Sequence, residues 1–337
     1  MKCRYEVEKL ALKTPFISHR GRISDVTQLF ITINWNEYEG YGTCLFQVDS
    51  NAADFLSESE QACNDILKGH TPFERELVMS EIDSDERVPA SLRVALEMAL
   101  HDLAGKVANL PLYKLWGLDQ LSIPQTSLSI SSLPEDELLQ EVEAHLNWPI
   151  LKFKITSLSD IQTIGRVRAL YKGRIWVDGN GSLNVVEAME AVKLVERFEV
   201  ELFEQPIPAG QLHDLQALSS HSSVKIVADE DCCTPLDLIR LVNCVDVINI
   251  KLIKCKGLDT ALSMIRFAKH LGFEVMLGCK TESVLGVSAI ANLAGLADYV
   301  DFDGHVDIVN DLFKGVGIEE GTVLLSDSPG LGVSLNR

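Results

Sequence analysis

Three acids, Asp178, Glu204 and Asp229, each close an apolar run of strand length: Arg174-Ile-Trp-Val-Asp178, Val200-Glu-Leu-Phe-Glu204 and Val224-Lys-Ile-Val-Ala-Asp229. Their spacing is nearly even (204 − 178 = 26; 229 − 204 = 25), about one strand, one helix and two short loops. Successive βα units of a barrel set their strand ends side by side, so three carboxylates at this spacing should converge on one point. Converging carboxylates repel one another unless a cation lies between them, and an all-oxygen donor set suits Mg²⁺. Aspartate after a strand is also a common helix cap. Three acids in register favour the metal reading.

Lys152 and Lys154 stand on the preceding run, Leu151-Lys-Phe-Lys-Ile155, where the two-residue period of a strand puts both lysines on one face. Barrel strands turn their apolar outer face to helices, so both lysines should point inward. Lys251 closes a later run, Val247-Ile-Asn-Ile-Lys251. As the second and sixth strands of an eight-stranded ring these two runs would be diametrically opposed, with the acid-bearing strands between them. Ammonium groups facing each other across a metal suit one task, removal of a proton α to a carboxylate. Loss of that proton doubles the negative charge, which a hard cation stabilises as Lewis acid and electrostatic clamp. A neutral lysine takes the proton when a neighbouring cation lowers its pKa, and Lys152 beside Lys154 is such a neighbour. A lysine on the opposite face returns a proton there and inverts the stereocentre. Lys154 and Lys251 are thus the expected acid–base pair, with Lys152 as electrostatic helper.

The elements that must position these groups are legible in outline. Residues 1–50 read as antiparallel strands: Lys2 to Lys13, Val26 to Trp35, a turn at Asn36-Glu-Tyr-Glu-Gly40, then Tyr41 to Val48. Helical spacing follows, clearest in 90–108, where Leu92, Ala95, Leu96, Ala99, Leu100, Leu103 and Val107 mark one face behind Pro89. From Ile123 strands and helices alternate. The expected strands are 125–130, 150–155, 174–178, 200–204, 224–229, 246–251, 274–278 and 298–303, with amphipathic stretches such as 135–146, 160–171, 185–197 and 256–271 between them. This predicts an α/β fold: an α+β capping domain over 1–118, a parallel barrel over 119–315, and a turn-rich segment, 316–337, returning to the cap.

The 337 residues are 46% hydrophobic and 23% charged, ample for a large core. A net charge of −19 argues against a nucleic-acid partner. Eight cysteines without CxxC spacing, several in apolar runs, indicate reduced thiols. The start, Met1-Lys-Cys-Arg-Tyr-Glu, lacks a signal-peptide core, and no window reaches the ~20 apolar residues of a membrane span. A cytoplasmic protein is expected, and a homo-oligomer is compatible with the sequence.

Lys152-Phe-Lys154, Asp178-Gly-Asn180, Glu204-Gln-Pro206, Asp229-Glu230 and Asn249-Ile-Lys251 together resemble the motifs of the enolase superfamily, in its muconate-lactonizing-enzyme subgroup. The resemblance runs from Thr14-Pro-Phe16 to Pro329-Gly-Leu-Gly332 and implies a modified (β/α)7β barrel with Mg²⁺ on Asp178, Glu204 and Asp229. Asp301-Phe-Asp303-Gly304 resembles the Asp-x-Asp of dipeptide epimerases, where the pair binds the substrate's α-ammonium group. Thr14-Pro-Phe-Ile-Ser-His-Arg20-Gly resembles the mobile loop of alanine–glutamate epimerases, which implies that Arg20 or Arg22 binds the glutamate side chain. The chain departs from these patterns at Thr43, Gly179, Ser182, Asp231 and Lys280. Lys280 stands where methionine is common and adds a second candidate for an anionic substrate group. The resemblance implies a dipeptide epimerase with L-Ala-D/L-Glu as the leading substrate. o-Succinylbenzoate synthase, muconate cycloisomerase and a catalytically silent binding or structural homologue remain alternatives.

Overall fold

A computed structural model of the chain describes residues 1–18, 21–47 and 52–336. The first strands, β1 (Lys2–Ser18), β2 (Gly21–Trp35) and β3 (Tyr38–Leu45), form an antiparallel sheet in chain order. β1 and β2 pair beyond the expected limits, through Phe16–Ile23, Ile17–Arg22 and Ser18–Gly21, after an irregularity between Ala11 and Phe16. The segment that resembles a mobile loop is therefore the paired tip of a long hairpin on both sides of residues 19 and 20, among which Arg20 lies outside the described residues. Three helices follow, α1 (Ala52–Leu67), α2 (Arg75–Ser84) and α3 (Arg93–Ala108). α3 starts later than its apolar spacing suggests because Pro89 opens a turn, closed by Leu92 N–H on the Pro89 carbonyl at 2.9 Å. It is buried on nearly every side from Val94 to Gly105. Gly42 makes that contact possible, since a Cβ there would lie 1.9 Å from the Ala95 carbonyl oxygen.

The second sheet has eight parallel strands in chain order: β4 (Leu128–Ile130), β5 (Ile150–Lys154), β6 (Arg174–Asp178), β7 (Val200–Glu204), β8 (Lys225–Ala228), β9 (Val247–Ile250), β10 (Glu274–Gly278) and β11 (Tyr299–Asp301). A parallel bridge between Thr126 and Val300, with Phe302 N–H on Thr126 Oγ1 at 2.8 Å, closes the ring. An α-helix follows each of the first seven strands, whereas β11 runs into a 3₁₀ turn at Asp303–His305. This is the (β/α)7β form.

Strand periodicity fixes what the barrel encloses. Ile150, Trp176, Leu202, Val227, Val247, Met276 and Tyr299 fill one level of the interior as an apolar plug. Two residues further along the same strands, period 2 brings Lys152, Asp178, Glu204, Asp229, Asn249 and Asp301 to the next level, all buried. A polar ring thus rests on an apolar floor, at the C-terminal ends of the strands.

The chain's last stretch lies against the cap. Leu331 N–H and Tyr41 N–H both donate to the buried Asp102 carboxylate, at 2.8 and 2.9 Å, and Lys106 Nζ completes it at 2.7 Å. Gly330 takes φ +74°, and a Cβ there would meet Asp102 Oδ1 at 2.1 Å, so only glycine suits the position. All eight cysteines are unpaired and most are buried as small apolar residues. Among the described residues no helix is long and apolar enough to cross a membrane.

Candidate active site

The polar ring opens into a cavity of about 290 Å³ between the barrel mouth and the β1–β2 hairpin. Leu12, Phe16, Ile23 and Val26 of the hairpin form its apolar roof; Lys154, Lys251, Asp301 and Asp303 belong to its floor and walls. The hairpin is held there by Lys13 N–H on the Asp307 carbonyl at 2.7 Å and by Ser132 N–H on the Ile17 carbonyl at 3.0 Å.

Period 2 sends Lys152 and Lys154 inward together, as the alternation of β5 requires. Lys152 is fully buried, its Nζ 2.6 Å from Asp301 Oδ2, 2.7 Å from Glu204 Oε2 and 3.4 Å from Asp178 Oδ2. Burial opposes its charge, but Asp301, Glu204 and Asp178 outweigh burial and hold the ammonium well above the ordinary lysine range. Lys154 is further out, 2.5 Å from Asp178 Oδ2. Lys251, just past the end of β9, lies 2.7 Å from Asp229 Oδ2 and 4.0 Å from Glu204 Oε1. Lys154 and Lys251 therefore touch different acids.

The three acids fit a hard cation. Their donor set is all carboxylate oxygen on adjacent strand ends, and each already presents an oxygen to a positive charge. Among the described residues Glu204 Oε2 is met by the Lys152 ammonium at 2.7 Å, while Asn249 Nδ2 donates to Oε1 at 2.9 Å. Burial, then the neighbouring Asp178 charge, raises the Glu204 carboxyl above the usual range, the cost expected where anions converge. Asn180 N–H fixes Asp178 Oδ1 at 2.9 Å, and Gln205 Oε1 accepts the Asp229 N–H at 3.0 Å. Gln205 is steadied in turn by Asp231, whose Oδ2 accepts its Nε2 at 2.7 Å, giving that departure from the usual serine a structural role. A separate trio, Glu97, His101 and Asp259, has ligand-type atoms within 4.8 Å of one another. Arg93 Nη1 at 2.5 Å from Glu97 and Arg75 Nε at 2.8 Å from Asp259 neutralise both its acids, which makes it an ion-pair network between cap and barrel.

Asp301 and Asp303 both border the cavity. The ring is narrow enough for Lys152 to bridge it, so Asp301 shares one ammonium with Glu204 and Asp178. Asp301 Oδ1 also accepts from Ser127 Oγ at 2.7 Å. Asp303 is bound by Ser129 N–H at 2.5 Å. Burial, then the Asp301 charge, pushes its carboxyl up to about 6.

Lys280 lines the same cavity, next to Cys279 and Thr281. Arg22 is exposed, and the residues on either side of it, Gly21 and Ile23, are the ones that face the cavity. Strand alternation thus turns Arg22 away. Sequence reasoning missed Ser127 and Ser129, whose period-2 placement at the first strand was a usable signal. It also missed Lys254, which reaches Asp229 from behind.

Residues 136–337 match the family model described as enolase C-terminal domain-like, and residues 5–117 match the N-terminal domain of mandelate racemase / muconate lactonizing enzymes. An L-Ala-D/L-Glu epimerase of Bacteroides thetaiotaomicron is 32% identical over 90% of this chain and 80% of its own length. An L-Ala-D/L-amino acid epimerase of a Maribacter species is 35% identical over 72% of each chain. Among solved structures, the dipeptide epimerase of Enterococcus faecalis, in complex with Mg and L-Leu-L-Tyr, superposes with a TM-score of 0.90 at 28% identity, covering 99% of both chains. With both halves of the fold matched and relatives more than 30% identical over most of the chain, the chain belongs to the mandelate racemase / muconate lactonizing enzyme family of the enolase superfamily, among its dipeptide epimerases.

Proposed function

We propose that this protein is a Mg²⁺-dependent isomerase that epimerises the C-terminal residue of a dipeptide, with L-Ala-D/L-Glu as the leading substrate. The observation that carries the reading is the placement of Lys154 and Lys251 on one cavity, each paired with a different acid of one buried triad. Asp178, Glu204 and Asp229 would hold the cation, which when bound supplies Lewis-acid stabilisation of charge developing on the substrate carboxylate. Lys154 or Lys251, neutral, takes the α-proton from one face and becomes an ammonium. The other, as ammonium, returns a proton to the opposite face and is left neutral, so the pair has exchanged charge states and the stereocentre is inverted. Lys152, locked among three carboxylates, stays charged and balances the anionic ring. Asp303, with Asp301 beside it, would receive the dipeptide's α-ammonium by a charge-assisted hydrogen bond. Lys280 on the cavity wall suits an anionic side chain on the epimerised residue, which is why Ala-Glu leads.

The test is incubation of L-Ala-L-Glu with enzyme in D₂O, followed by mass spectrometry and chiral analysis of the glutamate. Deuterium uptake at the glutamyl α-carbon with inversion, abolished by chelation and restored by Mg²⁺, is the expected result. Full exchange in chelator-treated enzyme would remove the metal from the reading. Formation of succinylbenzoate from its precursor, with no dipeptide turnover, would assign the synthase activity instead.

A further inference from the structure

Lys254 lies one turn beyond Lys251, in the short helix Leu252–Cys255, with its N–H on the Lys251 carbonyl at 3.0 Å. Its side chain is only 12% exposed and does not line the cavity. All three of its protons are engaged: it donates to Asp229 Oδ1, to the Asp229 carbonyl oxygen and, at 2.8 Å, to the Asn249 carbonyl oxygen. Lys251 meets the other carboxylate oxygen, Asp229 Oδ2, at 2.7 Å. One acid is thus held from behind by a lysine with no access to substrate and from the front by a lysine that has it.

We infer that Lys254 is a positioning residue: it locks the Asp229 carboxylate so that Oδ2 faces the cavity, and it prevents Lys251 from being that acid's sole counter-ion. The inference rests on the proposed roles of Asp229 and Lys251. Two effects of removing Lys254 oppose each other. Coulomb repulsion alone predicts tighter cation binding once a nearby positive charge is gone. Loss of orientation predicts weaker binding, because groups that hold a metal ligand in place typically contribute about 10–100-fold in affinity or activity. Orientation should dominate, since Lys254 lies on the far side of the carboxylate and is saturated by three oxygens. Its influence should also be one-sided: it touches Asp229, the partner of Lys251, whereas among the described residues the ammonium groups on Asp178 are those of Lys152 and Lys154.

The experiment compares wild type with Lys254→Met, Lys254→Gln and Lys254→Arg on two readouts. The first is Mn²⁺ affinity without substrate, by titration calorimetry. The second is α-deuterium exchange at saturating Mg²⁺ from L-Ala-L-Glu and L-Ala-D-Glu separately, with Lys251→Ala identifying the isomer that Lys251 serves. We expect Lys254→Met and Lys254→Gln to lose about 10–100-fold in Mn²⁺ affinity. Exchange from the Lys251-served isomer should fall by a similar factor, exchange from the other isomer much less, and Lys254→Arg should recover most of both. Unchanged or tighter Mn²⁺ binding in Lys254→Gln, or equal loss from both isomers, overturns the inference. If Lys254→Met does not fold, the Gln and Arg pair carries the same comparison. A wild type that binds Mn²⁺ but epimerises no dipeptide would defeat the proposed function alone, leaving the affinity series to decide on Lys254. A wild type that binds no Mn²⁺ would overturn both.

Discussion

Asp301 and Asp303 are two residues apart and lie in different chemical surroundings. Asp301 is neutralised by Lys152 at 2.6 Å, whereas Asp303 has a backbone N–H and its neighbour's negative charge, which with burial raises its carboxyl to about 6. On the proposed function, Asp303 would therefore be the better receiver of a substrate cation. An ammonium transferred into such a site without its partner costs several kcal/mol. Deleting one member of a buried charged pair costs about 2–5 kcal/mol, roughly 30- to several-thousand-fold in affinity. N-acetyl-Ala-Glu should accordingly be a far poorer substrate than Ala-Glu, and Asp303→Asn should narrow the gap; equal kcat/KM for the two peptides in wild type would refute the ammonium role. The pH dependence has a definite sign. Only the ionised carboxylate pairs with the ammonium, so kcat/KM for Ala-Glu should fall as pH drops through about 6 in the free enzyme. Asp303→Asn should lose that limb, which a profile between about pH 5 and 8 would reveal.

Among the elements, Asp102 is the residue on which the cap, α3 and the C-terminal stretch meet. It accepts from Tyr41 N–H on β3, from Leu331 N–H and from Lys106 Nζ. Asp102→Ala would leave two buried N–H groups and a lysine without their acceptor, a loss on the order of 3–5 kcal/mol. Urea unfolding should show that loss, and limited proteolysis should cut first within 316–337; a change under about 0.5 kcal/mol, the size typical of a neutral surface substitution, would show the junction to be unimportant. Local patterning explains why so much of the site is legible without coordinates. Sidedness in a strand depends on adjacent residues alone, so Lys152-Phe-Lys154, the closing acids of β6 and β7 and the acid just past β8 declare their inward faces. Strand ends are less legible: 125–130 shortens to Leu128–Ile130 because Thr126 leaves β4 to bridge Val300. What depends on tertiary reach is hidden altogether. Nothing local to Asp102 announces Leu331, nothing in Leu252-Ile-Lys254 announces Asp229, and Arg22 is turned away by a hairpin register that runs past the expected strand limits.

The whole molecule carries a formal charge of −19, while the polar cluster at the barrel mouth pairs four lysines, Lys152, Lys154, Lys251 and Lys254, with four acids, Asp178, Glu204, Asp229 and Asp301. The surplus negative charge therefore lies outside the ring, where it acts on whatever approaches. Such a field concentrates cations near the protein and repels anions, and it is screened as salt shortens the Debye length from about 30 Å at 0.01 M to about 8 Å at 0.15 M. The proposed metal and substrate have opposite signs, so salt should separate them. Mg²⁺ affinity should weaken from low to physiological ionic strength. kcat/KM for Ala-Glu, net negative at neutral pH, should rise over the same range at saturating Mg²⁺, because encounter is no longer opposed. Ala-Ala, zwitterionic with no net charge, serves as the control and should change little. In the proposed function Lys280 would act at short range from the cavity wall, so Lys280→Met should raise KM for Ala-Glu at every salt concentration without altering the salt slope. A salt series on these substrates decides the matter: if Ala-Glu and Ala-Ala respond identically, the acidic exterior has no part in substrate capture, and selection for the glutamyl side chain rests on the cavity alone.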